Sequence, residues 1–499
     1  MTSPGAPARV QEVLARLRGR RIHVLGPSGT EGSSVIDFLV RHGISTVTAH
    51  DLEPAERFAD TVGRTHRWLD ADGRAALIRR LQAAPIAWRQ GAAYLQGLDD
   101  AEVIVVPQSW MRHPQNGPVR DAARRGVPLS SMTQLFFEIC PGPILGVTGT
   151  NGKFTVVTLI SSMLQAAGIP VVTSGNDRTH VPALAALDRL TTQTWLVLEI
   201  SNRQLVGLPY SPHVAVVTNI APHHLDDHGS MEAYADAKRT IVRHQTSRDH
   251  AVLNADDPRV ARFAEGATSR VHWFSRRQPV PVGACVDDAR IVIAGSTPAA
   301  VLPVSEIGMP GAPMIENALA ATAAAAVAGV GPVAIATVLR EFRGLPYRFR
   351  IVGEREGITF YEDSLGTNPT SAAAAIAGMT RPFHLVAGGV RTSARAEDFV
   401  PMAKALGASP AKGIYLIGTT AALLSEVCAD LPGHPRVVQA GTLDAAMAQA
   451  WEAAAPGDAI LLSPGCESFD QFADYRARGD RFCALAEQLP ARAGKRTPV

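Results

Sequence analysis

Short apolar runs alternate with longer amphipathic stretches over most of the chain, as in proteins that pack helices on a parallel sheet. The segment "RRIHVLGPSGTEGSSVIDFLVRHGISTVTAHD" at 20–51 predicts a strand, a Gly-rich turn, a helix that ends at Gly43 and a strand that ends at Asp51. A weaker strand "AEVIVVPQ" and a helix "GPVRDAARRG" extend this unit to about residue 141, where "PGP" marks a break. We expect residues 1–8 to be disordered.

A second α/β unit begins with the short apolar strand "ILGVTG", which leads through a Gly-rich loop into the helix "KFTVVTLISSMLQAA". The strands "WLVLEI" and "VAVVTNI" follow, and the Ala-rich "IENALAATAAAAVAGVG" predicts a helix packed on the sheet. The strands "PFHLVAGG", "KGIYLIG" and "AILLSPG" belong to a third unit. Because 499 residues are too many for one core, we predict three α/β domains at 1–141, 142–345 and 346–499.

Composition excludes several classes of function. No apolar run reaches the roughly 18 residues of a membrane span, and the N-terminus lacks a signal peptide pattern, so we predict a soluble cytoplasmic protein without a membrane partner. The formal net charge of +2, without a basic stripe, argues against nucleic acid as a partner and leaves small molecules. We expect a monomer. The five cysteines have no C-x-x-C spacing, so we expect them to be reduced and buried.

The segment "GVTGTNGKFTVV" at 146–157 has the pattern of a phosphate-binding loop. Gly149 and Gly152 allow the backbone to approach phosphates, Lys153 supplies a positive charge, and the following helix contributes its N-terminus. This context favours ATP or GTP binding over the plainer interpretation, a Gly-rich turn with a solvated lysine. Phe154, however, stands where such loops normally have the Ser or Thr that ligates Mg²⁺.

A second group of polar residues follows the strand "VAVVTNI". Asn219, His223, His224 and Asp226 crowd the strand end, and Lys238 follows on a helix. Oxygen and imidazole groups at the carboxyl edge of a sheet can hold a metal ion or a substrate carboxylate. Taken alone, these residues are more often ordinary surface groups.

Seven motifs follow one another between residues 144 and 482: "GVTGTNGK", "LEIS", "NIAPHHLDDHGSMEAYADAK", "LNADDP", "GLPYRF", "EDSLGTNP" and "LLSPGCESFDQFADYRARGDRF". In their order and spacing the chain resembles the Mur ligases. Within this family, the resemblance is greatest to the members that add D-glutamate to UDP-N-acetylmuramoyl-L-alanine in peptidoglycan synthesis.

The resemblance implies an N-terminal Rossmann-like domain for the UDP-sugar, a central P-loop ATPase domain and a C-terminal Rossmann-like domain for the amino acid. It also implies that ATP phosphorylates a carboxylate and that an amine then displaces phosphate from the acyl phosphate. Two Mg²⁺ ions are implied, one held by Glu199 and one by His224. Lys238 matches a lysine that CO₂ carbamylates, which turns it into an anionic metal ligand.

The resemblance assigns the remaining roles residue by residue. The implied catalytic residues are Lys153, His224, Lys238 and Arg348. The implied nucleotide contacts are Gly149, Thr150, Asn151, Gly152, Lys153, Thr155, Asn317, Arg348 and Asp363. The candidate substrate contacts are Thr30, Asp51, Thr367, Arg391, Ser468 and Tyr475.

The chain departs from the family pattern at both substrate pockets and at the metal site. Leu365 replaces a lysine, and Arg391 or Arg395 would have to replace another. His223 replaces an Asp, Tyr347 a common His, and "GAPMIEN" and "VVPQSWMRHP" lack family landmarks. Two alternatives therefore stay open: recruitment to another pathway, such as natural-product synthesis, and a silent nucleotide-binding homologue. Folylpolyglutamate synthase, which shares the ATPase core, is disfavoured by "SPGCESFDQF" and the N-terminal domain.

Overall fold

The structure, a computed structural model, describes residues 6–175, 181–221, 229–309 and 311–490. The chain forms two compact units, of which the first comprises Met1–Ile307 with Ala312–Arg340 and the second Gly308–Gly311 with Glu341–Val499. Within the described residues, two sheets lie in the first unit and a third sheet in the second unit. This arrangement confirms the α/β class, whereas the domain boundaries at 141/142 and 345/346 stay predictions.

The first sheet is parallel, with strand order β3-β2-β1-β4-β5. Its strands are β1 Ile22–Leu25, β2 Val47–Asp51, β3 Ala87–Gln90, β4 Val103–Val105 and β5 Leu129–Ser130. The helices of this region are α1 Ala6–Leu17, α2 Thr30–Arg41, α3 Phe58–Thr65, α4 Ala71–Ala83, α5 Gly117–Arg124 and α6 Met132–Ile139. The strand order reverses between β1 and β4, and ligands of doubly wound sheets bind in the crevice at such a reversal.

The prediction of disorder for residues 1–8 is wrong from Ala6 onward, where α1 begins. This helix buries Val10, Val13, Leu14 and Leu17 in the core of the first unit. Their spacing of three and four residues places them on one helical face, and burial of that face stabilises the helix.

The second sheet has nine strands in the order β14-β13-β12-β11-β10-β9-β6-β8-β7, antiparallel only along β12, β13 and β14. Its strands are β6 Ile144–Thr148, β7 Val171–Ser174, β8 Trp195–Glu199, β9 Val214–Val217, β10 His250–Asn254, β11 Arg270–Ser275, β12 Gly283–Asp287, β13 Arg290–Ala294 and β14 Ala299–Pro303. The helices are α7 Lys153–Ala166, α8 Asn202–Leu205, α9 Met231–Arg243, α10 Pro258–Ala261, α11 Ala312–Val327 and α12 Pro332–Glu341. All five residues of β6 are buried, as expected for a strand inside a parallel sheet.

The third sheet has the order β15-β16-β20-β17-β18-β19, with an antiparallel edge strand, β15. Its strands are β15 Arg350–Arg355, β16 Ile358–Glu362, β17 Phe383–Gly388, β18 Ala411–Ile417, β19 Arg436–Gly441 and β20 Ala459–Leu462. The helices are α13 Pro369–Ala377, α14 Val400–Gly407, α15 Ala421–Val427, α16 Leu443–Ala453 and α17 Tyr475–Gln488. Two apolar clusters of this unit share the strands, in which alternate residues face opposite sides of the sheet.

Two compositional expectations can be compared with the structure. The cysteines are free, and four of them are buried, but the expectation of burial is wrong for Cys483, which is only partly buried. Among the described helices, none is long and apolar enough to cross a membrane.

Candidate active site

The predicted phosphate-binding loop lies between β6 and α7, where strand, loop and helix follow directly on one another. Gly149 has φ +145° and Gly152 has φ +81°, conformations that strongly favour glycine. A Cβ atom on Gly149 would lie 1.9 Å from Thr218 Oγ1, and one on Gly152 would lie 2.1 Å from Asn317 Oδ1. The two glycines are therefore required both by the backbone conformation and by close neighbours.

Residues that follow β9, the strand beside β6, hold the loop in place. Asn219 accepts the Thr150 N–H through its carbonyl at 2.8 Å and the Asn151 N–H through its side-chain oxygen at 3.0 Å. Its side-chain amide donates to the Asn151 carbonyl at 3.1 Å, and Thr218 Oγ1 donates to the same oxygen at 2.7 Å. The loop is thus shaped by its neighbours before any ligand binds.

Two lysines meet at one end of this loop. Lys153 Nζ donates to the carbonyls of Gly149 at 3.1 Å and Thr150 at 3.0 Å. Lys238 Nζ, on α9, donates to the Gly149 carbonyl at 2.9 Å and lies 4.8 Å from the ring centroid of Tyr234. The structure therefore brings together two of the predicted catalytic residues, which lie 85 positions apart in the numbered sequence.

Burial and, to a smaller extent, the nearby charge of Lys153 lower the pKa of the Lys238 ammonium to about 7, although Glu199 acts in the opposite direction. The side chain of Lys238 is almost fully buried. A desolvated ammonium is costly unless an anion pairs with it, so the site favours either a neutral lysine or an added negative charge.

The candidate metal ligands can be placed only in part. Glu199 ends β8, where it lies opposite Val147 of β6, one residue before the end of that strand. His223, His224 and Asp226 lie outside the described residues. Among the residues that the structure does describe, no group of three or more His, Cys, Asp or Glu side chains could hold a metal ion. One carboxylate nevertheless fits Mg²⁺, because this ion takes phosphate and water oxygens as its other ligands.

The first turn of α7 contains the unusual Phe154 and, next to it, Thr155. Both residues are partly buried. Successive residues of a helix point about 100° apart, so the Thr155 hydroxyl does not take the direction of the missing Ser or Thr hydroxyl. Asn317 of α11 borders the loop at Gly152, and its predicted role toward the nucleotide stays a prediction.

The substrate candidates of the first sheet lie at its carboxyl edge. Asp51, at the end of β2, is buried and accepts the N–H groups of Ser28 at 2.7 Å and Glu53 at 3.0 Å. Thr30 begins α2, and its hydroxyl donates to the Thr65 carbonyl at 3.4 Å. Asp51 therefore has a structural role in the β1–α2 turn, and contacts of either residue with substrate stay predictions.

In the second unit, Asp363 and Arg348 lie close to each other. Asp363 is buried and accepts the Ser463 hydroxyl at 2.7 Å and the Phe349 N–H at 3.1 Å, while burial raises its pKa to about 7. Arg348 is exposed between Tyr347 at φ +61° and Phe349 at φ +44°. Two left-handed non-glycine residues in three positions store backbone strain, which concentrates at functional sites.

Adjacent strand ends gather the other substrate candidates of this unit. The Gly366 carbonyl accepts the Gly465 N–H at 2.8 Å, which joins the segment of Thr367 to the loop that leads to Ser468. Val390 and Glu467 exchange two backbone hydrogen bonds, which join the segments of Arg391 and Ser468 in the same way. Ser468 is buried, Arg391 Nε lies 3.4 Å from Asp398 Oδ2, and the Tyr475 ring meets the Tyr347 ring edge-on at 5.7 Å.

Comparison with known proteins identifies the family. The model of the Mur ligase middle domain matches residues 147–325, and that of the Mur ligase glutamate ligase domain matches residues 347–466. The UDP-N-acetylmuramoylalanine–D-glutamate ligase of Symbiobacterium thermophilum is 37% identical over 465 residues, which cover 92% of this chain and 96% of that protein. The chain belongs to the Mur ligase family.

Other relatives agree with this assignment. The protein of the same name from Bacillus subtilis is 34% identical over 75% of this Mur ligase and 81% of its own length. Among solved structures, MurF of Acinetobacter baumannii has a TM-score of 0.56 at 16% identity and covers 96% of this chain and 98% of its own. MurC of Thermotoga maritima has a TM-score of 0.53 at 16% identity, with coverage of 94% and 99%. The predicted fold is confirmed, and this Mur ligase is an ATP-dependent enzyme that forms amides and releases ADP.

The sequence placed Asn219 among the groups that could hold a metal ion or a substrate carboxylate, but its hydrogen bonds to the phosphate-binding loop were not predicted. Thr218 and Tyr234 were not predicted at all. The Tyr234 hydroxyl lies 3.2 Å from Thr150 Oγ1, which also accepts the Ala221 N–H at 3.0 Å. The sequence does indicate that Thr218 and Asn219 directly follow an apolar strand. Because the carboxyl ends of neighbouring parallel strands meet at one edge of a sheet, residues in such positions are candidates for contact with the loop.

We predict that Gly149→Ala abolishes tight ATP binding by this Mur ligase. The new methyl group would displace Thr218, whose hydroxyl holds the Asn151 carbonyl, and the backbone would leave its required conformation. Gly168→Ala is the matched control, because Gly168 also has a positive φ, +70°, but has no atom within 4 Å of the new Cβ. Titration with ATP and thermal unfolding would be measured for both variants. Equal ATP affinity in the two variants would contradict the assignment of the loop.

Proposed function

We propose that this Mur ligase joins D-glutamate to UDP-N-acetylmuramoyl-L-alanine in peptidoglycan synthesis. The observation on which the proposal rests is the similarity to D-glutamate ligases over more than nine-tenths of the chain. The loop geometry supports the ATP-dependent step, since glycines, two lysines and a helix N-terminus converge where phosphates would bind. ATP and the nucleotide-linked acceptor occur in the cytoplasm, which is where we place the reaction, and we propose a monomer.

The proposed reaction has two steps. An oxygen of the acceptor carboxylate attacks the γ-phosphorus of ATP, the bond to the bridging oxygen breaks, and ADP leaves. The amine of glutamate then attacks the carbonyl carbon of the acyl phosphate, and the tetrahedral intermediate expels inorganic phosphate as the amine loses a proton. A free carboxylate resists amines, whereas phosphate is a good leaving group, so ATP supplies the driving force. Placement and charge neutralisation then account for most of the catalysis.

The residues of the phosphate-binding loop bind and orient the nucleotide in this proposal. Lys153 would leave its carbonyl partners and hold the β- and γ-phosphates, and the loop N–H groups would face the same oxygens. Glu199 would hold Mg²⁺, which neutralises phosphate charge when bound, and His224 would hold a second ion. The predicted contacts of Arg348 and Asp363 with the nucleotide are part of the proposal.

We assign the three proposed domains to the three substrates: 1–141 to the acceptor, 142–345 to ATP and 346–499 to the amino acid. In the last of these, we propose that Ser468 and an arginine at 391 or 395 hold the acidic group of the incoming amino acid. Arginine offers a planar two-pronged donor where lysine offers a point charge, so it can take over carboxylate binding with altered geometry. The comparisons do not favour the two alternatives, which were recruitment to another pathway, such as natural-product synthesis, and a silent nucleotide-binding homologue.

The proposal is tested by incubating the protein with ATP, Mg²⁺, UDP-N-acetylmuramoyl-L-alanine and each member of a panel of D- and L-amino acids. Mass spectrometry identifies the amide product, and ADP release gives the rate. We expect D-glutamate to be the preferred substrate and Lys153→Ala to be inactive, since a lost charge contact at the reacting phosphoryl group costs several kcal/mol. Preference for a neutral amino acid over every acidic one would contradict the assignment of the amino acid site.

We further propose that CO₂ carbamylates Lys238, because only an uncharged amine reacts with CO₂. With a pKa of about 7, the Lys238 amine is largely uncharged above that pH, whereas an ordinary lysine stays charged up to about pH 10. Lys238→Ala should lower ligation by about a hundredfold or more, and acetate should restore part of the rate by supplying an anion. Arg243→Ala, on the exposed face of the same helix, is the control. Full activity of Lys238→Ala would reduce this lysine to a structural residue.

Phe154 has no hydroxyl that could ligate Mg²⁺, so we propose that a water molecule takes this place in the coordination of the ion. We expect wild type to be active with a high Mg²⁺ requirement. Phe154→Ser should lower the Mg²⁺ concentration at half-maximal rate by about fivefold, the effect of about 1 kcal/mol from one ligand interaction. Phe154→Ala removes the ring without adding a hydroxyl, so it separates the effect of losing the ring from the effect of gaining a Mg²⁺ ligand. If wild type transfers no phosphate with any substrate and Phe154→Ser does, the silent homologue is the correct alternative.

A further inference from the structure

A carboxylate occupies the first turn of α2, in the crevice where the strand order of the first sheet reverses. Glu31 is partly buried there, and each of its oxygens accepts one hydrogen bond. The Gln108 N–H, just beyond β4, donates to Oε2 at 2.7 Å, and Gln204 Nε2 donates to Oε1 at 3.4 Å. A carboxylate that is partly removed from water is stabilised by such donors. The surroundings of Glu31 therefore fit a side chain that accepts two hydrogen bonds.

The same residues close a ring through the end of β8. Ser201 follows Glu199 by two residues, and its hydroxyl donates to Gln108 Oε1 at 2.8 Å. Its N–H donates to Gln204 Oε1 at 3.0 Å, and the Gln204 N–H donates to Ser201 Oγ at 3.2 Å. We call these four residues, Glu31, Gln108, Ser201 and Gln204, the carboxylate ring.

The carboxylate ring connects two places that the proposed reaction must align. Glu31 and Gln108 lie at the crevice where a doubly wound sheet binds its ligand, which is the proposed acceptor site. Ser201 belongs to the segment that directly follows the proposed Mg²⁺ ligand, Glu199. All of these residues are in the first unit.

We propose that Glu31 is a positioning residue, which through the carboxylate ring holds the segment after Glu199 in place against the acceptor crevice. This inference rests on the proposed function, because it takes the roles of Glu199 and of the crevice from there. A loose strand end would leave the metal-binding carboxylate misaligned with the phosphates. Loss of the ring should therefore lower kcat and raise the Mg²⁺ requirement, while KM for ATP stays unchanged.

Glu31→Gln tests the polarity of the ring with almost no change of shape. One of its two terminal atoms becomes an NH₂ donor, which then faces a donor of Gln108 or Gln204. The double variant Glu31→Gln, Gln204→Glu reverses the pair: the amide at 31 donates to the new carboxylate, which can still accept the Ser201 N–H. In the wild type, Thr133 Oγ1 accepts a hydrogen bond from Gln204 Nε2 at 3.2 Å. In the double variant, the Thr133 hydroxyl can donate its proton to the new carboxylate instead. Glu12→Gln, exposed on α1, is the matched control.

Two independent readouts would be collected for each variant. Steady-state kinetics gives kcat, KM for ATP and for the acceptor, and the Mg²⁺ concentration at half-maximal rate. Hydrogen–deuterium exchange of the backbone amides at 200–206 reports on the strand end in the free protein, and thermal unfolding checks the fold. Should Glu31→Gln fail to fold, Gln204→Leu breaks the ring from the other side and must give the same pattern.

We expect Glu31→Gln to lower kcat by about tenfold and to speed hydrogen–deuterium exchange at 200–206. The double variant should return kcat and the exchange rate toward the wild-type values. Unchanged exchange and kcat, or a double variant no better than the single one, would overturn it. An inactive wild type would contradict the proposed function but not the role of the carboxylate ring. In that case the exchange data alone decide whether the carboxylate ring holds the strand end.

Discussion

Two lysine side chains share a single backbone oxygen of the phosphate-binding loop. Lys153 and Lys238 both donate to the Gly149 carbonyl, at 3.1 and 2.9 Å, within a largely buried site. The lowered pKa of Lys238 reflects its burial first and then the charge of Lys153, because like charges in a medium of low dielectric repel strongly. An arriving polyphosphate would relieve the repulsion by drawing Lys153 away from the carbonyl. The apo site thus favours a polyanion by its own electrostatics.

This arrangement depends on a glycine and on the neighbours of one strand. Gly149 can hold its carbonyl there because no Cβ separates it from Thr218. Thr218 and Asn219 reach the loop because β9 lies beside β6, and Glu199 reaches the same edge because β8 lies on the other side of β6. Three strand ends therefore define the site, and the helices around the sheet fix the strands. The third sheet repeats the principle in the second unit, where backbone hydrogen bonds join the segments of Thr367, Arg391 and Ser468.

The sequence was sufficient for features that are local along the chain. The apolar run of β6, the glycines of the loop and the helix that begins at Lys153 follow one another, so their structure could be predicted from spacing alone. The clamp by Asn219 could not, because it requires that β9 be the spatial neighbour of β6, which periodicity does not reveal. The carboxylate ring is hidden for the same reason, since Glu31 and Gln204 are 173 positions apart. Helix α1 differs from these two cases, because its apolar residues at Val10, Val13, Leu14 and Leu17 have helical spacing along the chain itself.

In the reaction proposed for this Mur ligase, ATP activates a carboxylate as an acyl phosphate before the amine attacks. The most direct test uses UDP-N-acetylmuramoyl-L-alanine with a heavy-oxygen label in the alanine carboxylate, followed by mass spectrometry of the inorganic phosphate released during ligation. We expect one labelled oxygen in each phosphate, because the oxygen that attacks the γ-phosphorus leaves with it. Ligation that yields ADP and amide with unlabelled phosphate would contradict the acyl phosphate.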